Sequence, residues 1–148
     1  MSKIKLDIVT AERLILSEDV DYVSAPGVDG ILGILPRHAP LLTALTFGEL
    51  RYKKDEQEFH FAIGGGFMEV RPDKVTVLAD SAEHADEIDE QRAEQARARA
   101  HDLLREKPRS DAEFARIEQA LRRAEVRLKV ARRKRGGGIK PTPTDLGG

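Results

Sequence analysis

The sequence predicts an α+β protein in two segments, an all-β N-terminal part followed by a C-terminal antiparallel two-helix hairpin. Two observations predict it. The hydrophobic period changes near residue 84, from alternation to a recurrence every three or four residues. Charge changes sign at the same place: Met1 to His84 holds nine Lys/Arg against fourteen Asp/Glu, a balance of −5, and Ala85 to Gly148 holds sixteen against twelve, a balance of +4. The net charge of −1 over 148 residues is therefore a cancellation.

The elements follow in order. Ile4, Leu6 and Ile8 alternate with Lys3, Lys5 and Asp7, the pattern of a half-buried strand. Further strand-like runs are 12–16, 21–25, 49–53, 58–63, 67–70 and 74–78. Pro26-Gly27, Asp29-Gly30, Lys54-Asp55-Glu56 and Arg71-Pro72-Asp73 punctuate them with turn chemistry. Short strands at this spacing predict a sandwich or a barrel. Beyond His84, Ile88, Arg92/Ala93, Ala96, Ala100 and Leu103/Leu104 recur at helical spacing until Pro108. Ser110-Asp-Ala-Glu113 then reads as a capping box opening a second helix. That helix carries Phe114, Ile117, Leu121, Ala124, Leu128 and Ala131 on one seam. Its partner offers mostly alanine, and each missing methylene forgoes ~0.8 kcal/mol of burial. The hairpin is thus expected to keep its helices while its packing changes. Gly136-Gly-Gly138 ends the helix and 139–148 reads as a flexible tail.

Several function classes are excluded. With no cysteine there is no disulfide, thiol nucleophile or cysteine-ligated metal. His38, His60, His84 and His101 lack metal-ligand spacing, and no nucleophile elbow occurs. Gly64-Gly65-Gly66 lacks the Gly-Lys-Ser/Thr ending of a phosphate loop and reads instead as a bulge or close backbone approach. No apolar run is long enough for a signal peptide or a membrane span, so direct membrane insertion is not expected.

Three stretches remain. From Arg122 to Arg135 run Arg122, Arg123, Arg127, Lys129, Arg132, Arg133, Lys134 and Arg135 against one acid, Glu125. Such a run is either a solvated face or a binder of polyanions. Phe114 is the one aromatic of this half and sits on the seam, so an acidic protein surface fits better than nucleic acid. A nucleic-acid-binding adaptor is the alternative from another class. Gly30 to Thr43, with its apolar residues, two glycines and two prolines, reads as a rigid apolar loop, either core filling or docking surface. Asp89 and Arg92, three apart in Ile88-Asp-Glu-Gln-Arg-Ala93, read as a surface ion pair worth under ~1 kcal/mol.

Taken together, these motifs resemble the epsilon-subunit family of bacterial F-type ATP synthases over about residues 3–134. The resemblance runs through Gly30-x-Leu-Gly-Ile-x-Pro-x-His-Ala-Pro-Leu-Leu-Thr43, Gly64-Gly-Gly-Phe-x-Glu-Val70, Val75-Thr-Val-Leu-Ala-Asp80 and Ile88-Asp-x-x-Arg-Ala93. It implies a ten-stranded flattened β-sandwich over 1–84, a regulatory α-helical hairpin over 85–135 and a tail over 136–148. It also implies a non-catalytic central-stalk subunit that couples proton flow to ATP synthesis. The sandwich would bind the gamma subunit and the c ring, peripherally, at the cytoplasmic face of the bacterial cell membrane.

Residue roles are implied in the same way. Ile31, Gly33 and His38 would meet the c ring; position 31 is acidic in some relatives, so an ion pair expected there is absent. Arg122, Arg123, Arg127, Lys129, Arg132 and Arg133 would form an inhibitory helix that reaches an acidic loop of the beta subunit when the hairpin opens. A regulatory ATP would use Glu83, Ile88, Asp89, Arg92, Ala93 and Arg99 on the first helix side, with Arg123 and Arg127 on the second. No cofactor is required and no metal is expected.

Overall fold

The structure, a computed structural model, describes residues 2–134. The expected tail over 136–148 and the last basic residue, Arg135, lie outside the described residues. Eight strands come first: β1 (Ile4–Val9), β2 (Leu14–Val20), β3 (Tyr22–Gly27), β4 (Gly30–Ile34), β5 (Leu41–Lys54), β6 (Gln57–Arg71), β7 (Lys74–Ala79) and β8 (Ala82–His84). They hydrogen-bond in the order β2-β1-β7-β6-β5-β3-β4, with β8 added to β6. β1 and β7 run parallel, while every other pairing is antiparallel.

Chain connectivity forces this sheet to fold over. β2 begins the hydrogen-bonded order and β3 stands next to its far end, yet only Asp21 separates them in sequence. Consecutive Cα atoms are about 3.8 Å apart, so the two ends must meet. Lys3 helps hold that closure with ion pairs to Asp21 at 2.9 Å and Asp55 at 2.7 Å. The two layers share one core, in which Ile4, Leu6 and Ile8 of β1 and Val75 and Val77 of β7 join Val23 of β3, Ile34 of β4 and Leu50 of β5. Each fully buried aliphatic side chain contributes roughly 1.5–3 kcal/mol.

The sandwich class is as expected, but the described residues form eight strands rather than ten. β5 spans 14 residues and β6 spans 15, and their ladder runs from Leu41↔Val70 to Lys54↔Gln57. The separate runs expected at 58–63 and 67–70 are one strand across Gly64–Gly66. These glycines make the close approach anticipated for them. A Cβ on Gly66 would stand 2.0 Å from the Leu78 carbonyl oxygen, and its φ is +123°. Asp55 and Glu56 close the β5–β6 hairpin with φ of 51° and 69°, the two positive angles of a type I′ turn. The expected Gly30–Thr43 loop is also corrected. Gly30–Ile34 pairs with β3 as an edge strand and only residues 35–40 are irregular.

Helical structure begins at once after β8. A short 3-10 turn, Ala85–Glu87, is capped by His84, whose ring accepts from the Asp86 N–H while Glu87 accepts from the His84 N–H. Then come α1 (Glu90–Glu106), α2 (Phe114–Ala131) and a final 3-10 turn, Arg132–Lys134. Asp89 is not the side-chain ion-pair partner of Arg92. It is the N-cap of α1, and its carboxylate accepts from the Arg92 backbone N–H at 3.1 Å. The capping box at Ser110 does not form either. Asp111 accepts from the Glu113 N–H at 2.8 Å, and the Glu113 carboxylate pairs with Lys107 at 3.3 Å, so α2 starts at Phe114 without a side-chain cap.

Candidate functional site

Two surfaces stand out, one on the sandwich and one where the hairpin meets it. The first arises from strand register. Ala44 of β5 lies opposite Phe67 of β6, Phe67 opposite Leu78 of β7, Leu78 opposite Val9 of β1, and Val9 opposite Leu14 of β2. Side chains alternate across a sheet, so the intervening Met68, Val77 and Ile8 fill the core while this row points outward. Phe67, Leu78 and Leu14 are each more than half exposed, and Leu42, two residues before Ala44, is 72% exposed. Five strands at ~4.8 Å spacing make a row about 19 Å long. An exposed apolar stripe of this kind marks an interaction surface. The sequence reading missed it, although the adjacent pairs Phe67-Met68 and Val77-Leu78 break the simple alternation and carry the signal.

The residues expected at the c ring are only partly gathered. Ile31, 80% exposed, sits beside the β3–β4 turn with Val28, itself 55% exposed. Gly33 serves packing: a Cβ there would stand 2.9 Å from the Tyr22 hydroxyl. His38 lies beyond the other end of β4, its ring nitrogen 2.7 Å from the Ala39 carbonyl oxygen. Ile31 and His38 therefore flank the edge strand rather than share one spot.

The second surface is made by the basic helix. α2 lies antiparallel against α1 and rests on β5 and β6. Its apolar contact is thin: Ala85, Ile88 and Ala93 meet Leu128, Val130 and Ala131 over Ala62 of β6. Arginines supply the rest. The Arg123 guanidinium lies 5.2 Å from the centre of the Phe47 ring. Arg127 donates to both carboxylate oxygens of Glu83 in β8, at 2.7 and 3.0 Å. Arg132 reaches Glu90 and Glu94 of α1 at 3.3 and 3.4 Å. Arg133 donates to both oxygens of Glu49 in β5, at 2.7 and 2.8 Å.

Glu49 is the most enclosed of these acids, with 8% of its side chain exposed. His60 Nδ1 stands 2.9 Å from the same carboxylate. Burial pushes the Glu49 carboxyl up, but the hydrogen bonds and charge of Arg133, with His60 second, outweigh it and bring the pKa down to about 2. The guanidinium of Arg133 is raised in return, chiefly by its hydrogen bonds to Glu49. Arg122 and Lys129 of the same helix are exposed.

Of the residues expected to hold ATP, Glu83, Arg123 and Arg127 line one cavity of about 30 Å³ together with Phe47, Ser81 and Val126. Ile88 and Ala93 are buried under the hairpin, Asp89 caps α1, and Arg92 and Arg99 are exposed on α1. A small-molecule site needs roughly 300 Å³ or more, so this arrangement leaves too little room for a nucleotide at those three residues.

Likeness to known proteins follows both segments. Residues 3–85 match the family described as "ATP synthase, Delta/Epsilon chain, beta-sandwich domain". Residues 86–132 match "ATP synthase, Delta/Epsilon chain, long alpha-helix domain". The ATP synthase epsilon chain of Herpetosiphon aurantiacus is 61% identical over 132 residues, 89% of this chain and 96% of the relative. That of Dehalococcoides mccartyi is 55% identical over 135 residues, 91% and 96% of the two chains. In fold, the chain is similar to one in the mitochondrial ATP synthase OSCP/F1/c-ring structure of Euglena gracilis. The TM-score there is 0.77 at 24% identity, covering 88% of this chain and 82% of that one. A chain from the central stalk and c-ring structure of the Tetrahymena thermophila enzyme gives a TM-score of 0.59 at 15% identity, with 88% and 97% covered. These likenesses lend no support to the nucleic-acid alternative.

Proposed function

The chain belongs to the ATP synthase delta/epsilon family, as an epsilon subunit of the bacterial kind, and from that premise we propose that it is a non-catalytic part of the central stalk whose hairpin restrains ATP hydrolysis. The sandwich would clasp the gamma subunit with the apolar row through Phe67 and Leu78 and present the Ile31 turn to the c ring. Stiffness is what torque transfer requires, and a shared core under two sheet layers supplies it. No helix among the described residues is long and apolar enough to cross a membrane, and the proposed position is peripheral, at the cytoplasmic face.

One observation carries the inhibitory part. The basic helix is held to the sandwich by three arginine contacts, from Arg123, Arg127 and Arg133, and by an alanine-rich seam rather than by a large apolar core, while Arg132 ties it to α1. An exposed pair such as Arg127–Glu83 parts at little net cost, whereas the enclosed Glu49 resists the loss of Arg133. The helix that now meets Glu83 and Glu49 has the charge to meet an acidic loop of the beta subunit when the hairpin opens. Adding the full chain to an epsilon-depleted catalytic head is expected to slow ATP hydrolysis. A chain stopped before Asp86 is expected to bind gamma without slowing it. Equal inhibition by both would overturn the proposal.

A second reading, a regulatory ATP on the hairpin, is favoured by Glu83, Arg123 and Arg127 coming together, and it requires the hairpin to rearrange, because the cavity of about 30 Å³ between them is too small for a nucleotide as it stands. Guanidinium groups recognise phosphates, and binding would need Arg127 to turn away from Glu83. Calorimetry with ATP tests it: heat that Arg92→Ala and Arg127→Ala both reduce supports the reading, and no heat with the intact chain dismisses it.

A further inference from the structure

The four arginine contacts differ in what they join. Arg132 bonds Glu90 and Glu94, so it ties α2 to α1 within the hairpin. Arg133, the next residue, bonds Glu49 and ties the hairpin to the sandwich across 84 residues of sequence. Arg127 also reaches the sandwich, but its partner Glu83 is 36% exposed, so water takes over when that pair parts. Glu49 is different. Its side chain is 8% exposed, its strand position pairs with Ala62 under the docked helices, and its carboxylate accepts from Arg133 twice and lies against His60. Losing the Arg133 guanidinium while the helices stay docked leaves an enclosed carboxylate facing His60, which is costly in a way that losing one partner of an exposed pair is not.

We propose that Glu49 is the latch of the hairpin: its bidentate bond to Arg133 is the contact whose making or breaking sets whether the helices stay on the sandwich, while Arg132 governs only how the two helices hold each other. The proposal rests on the reading of the hairpin as a movable regulatory unit and names the group that controls it. Proximity of the latch to the chain's last described turn gives it leverage, because freeing Arg133 releases the C-terminal end of α2 first, and that end carries Leu128, Val130 and Ala131 of the thin apolar contact. A competing partner therefore needs to capture only Arg133 to begin opening.

The absence of cysteine makes the test clean, since two introduced thiols are the only ones present. Asp19→Cys on the sandwich and Glu118→Cys on α2, both at exposed positions, carry spin labels in the full chain, and pulsed electron resonance reads the distance between them. Glu49→Gln and Arg133→Gln are each expected to raise the long-distance fraction at least threefold. Arg133→Lys is expected to restore part of the short-distance peak, and Arg132→Gln to leave it unchanged. Arg133→Gln alters a side chain at the end of α2 and keeps the question open even where Glu49→Gln disturbs the sandwich. A parent-like distribution in Arg133→Gln, an equal shift in Arg132→Gln, or a parent chain already at the long distance would each overturn the latch. Since the distance is read without the catalytic head, loss of inhibition in the truncation test and loss of the latch are separate results.

Discussion

Arg127 and Glu83, 44 residues apart, meet side by side, the guanidinium donating at 2.7 and 3.0 Å to the two carboxylate oxygens. The pair joins the middle of the basic helix to the last strand of the sandwich, at a site only partly shielded from water. Pairs of this exposure are worth under ~1 kcal/mol. Glu83→Gln is therefore expected to raise amide exchange in α2 two- to fivefold while leaving the sandwich unchanged. Hydrogen exchange resolved by segment checks this, and a uniform rise over both segments would contradict it.

Acid should undock the helices by a definite route. Glu49 is held at about 2 against an ordinary 4.5. A carboxyl depressed in the folded protein contributes stability that is present above its ordinary value and is lost as pH falls through the folded one. Docking is thus expected to weaken between about pH 4.5 and pH 2. The difference between parent and Glu49→Gln in a helix-proximity signal should shrink over that window, and a constant difference down to pH 2 would refute the assignment.

Exposed position and buried position on the same strand should separate binding from folding. Phe67 points outward and Met68 inward on β6. Phe67→Asp is expected to weaken gamma binding tenfold or more, about 1.4 kcal/mol, with a melting temperature within ~2 °C of the parent, as surface changes usually allow. Met68→Asp is expected to fail at folding, because it buries an unpaired charge. Titration of labelled gamma together with thermal unfolding checks both.

Glycines in the same backbone region should differ in cost. Gly66 and Gly30 both have positive φ, 123° and 130°, but a Cβ at Gly30 meets nothing within 4 Å while one at Gly66 runs into the Leu78 carbonyl. Gly66→Ala is expected to cost more than ~2 kcal/mol, through strain and displacement of β7, and Gly30→Ala about 1 kcal/mol, through backbone strain alone. Urea unfolding of the two variants gives the comparison.

Much of this molecule is readable along the chain because side-chain period is a local property. The alternation of Ile4, Leu6 and Ile8 predicts the inward face of β1, and all three are fully buried. Ala93, Ala100, Ala124 and Leu128 likewise recur at helical spacing and lie buried where two helices meet. Gly64-Gly65-Gly66 signals a close backbone approach, and at Gly66 a Cβ would collide with the Leu78 carbonyl. Local reading failed where neighbours in space compete for a group. Spacing alone pairs Asp89 with the Arg92 side chain, but the unsatisfied N–H groups at the start of α1 take its carboxylate. Spacing alone makes Glu113 part of a capping box with Ser110, but its carboxylate pairs with Lys107.

The sequence by itself determined that strands precede helices, which faces are apolar, and that a basic helix follows an acidic sandwich. These depend on residue order alone. Tertiary structure decided that β5 and β6 run unbroken, that Phe67, Leu78 and Leu14 line up into one outward row, and that Arg133 finds Glu49 rather than any of the other acids. Register follows from how the β2–β3 junction folds the sheet upon itself, and the Arg133–Glu49 pairing from where the docked hairpin sets the end of α2 against β5. No period in the chain encodes that distance.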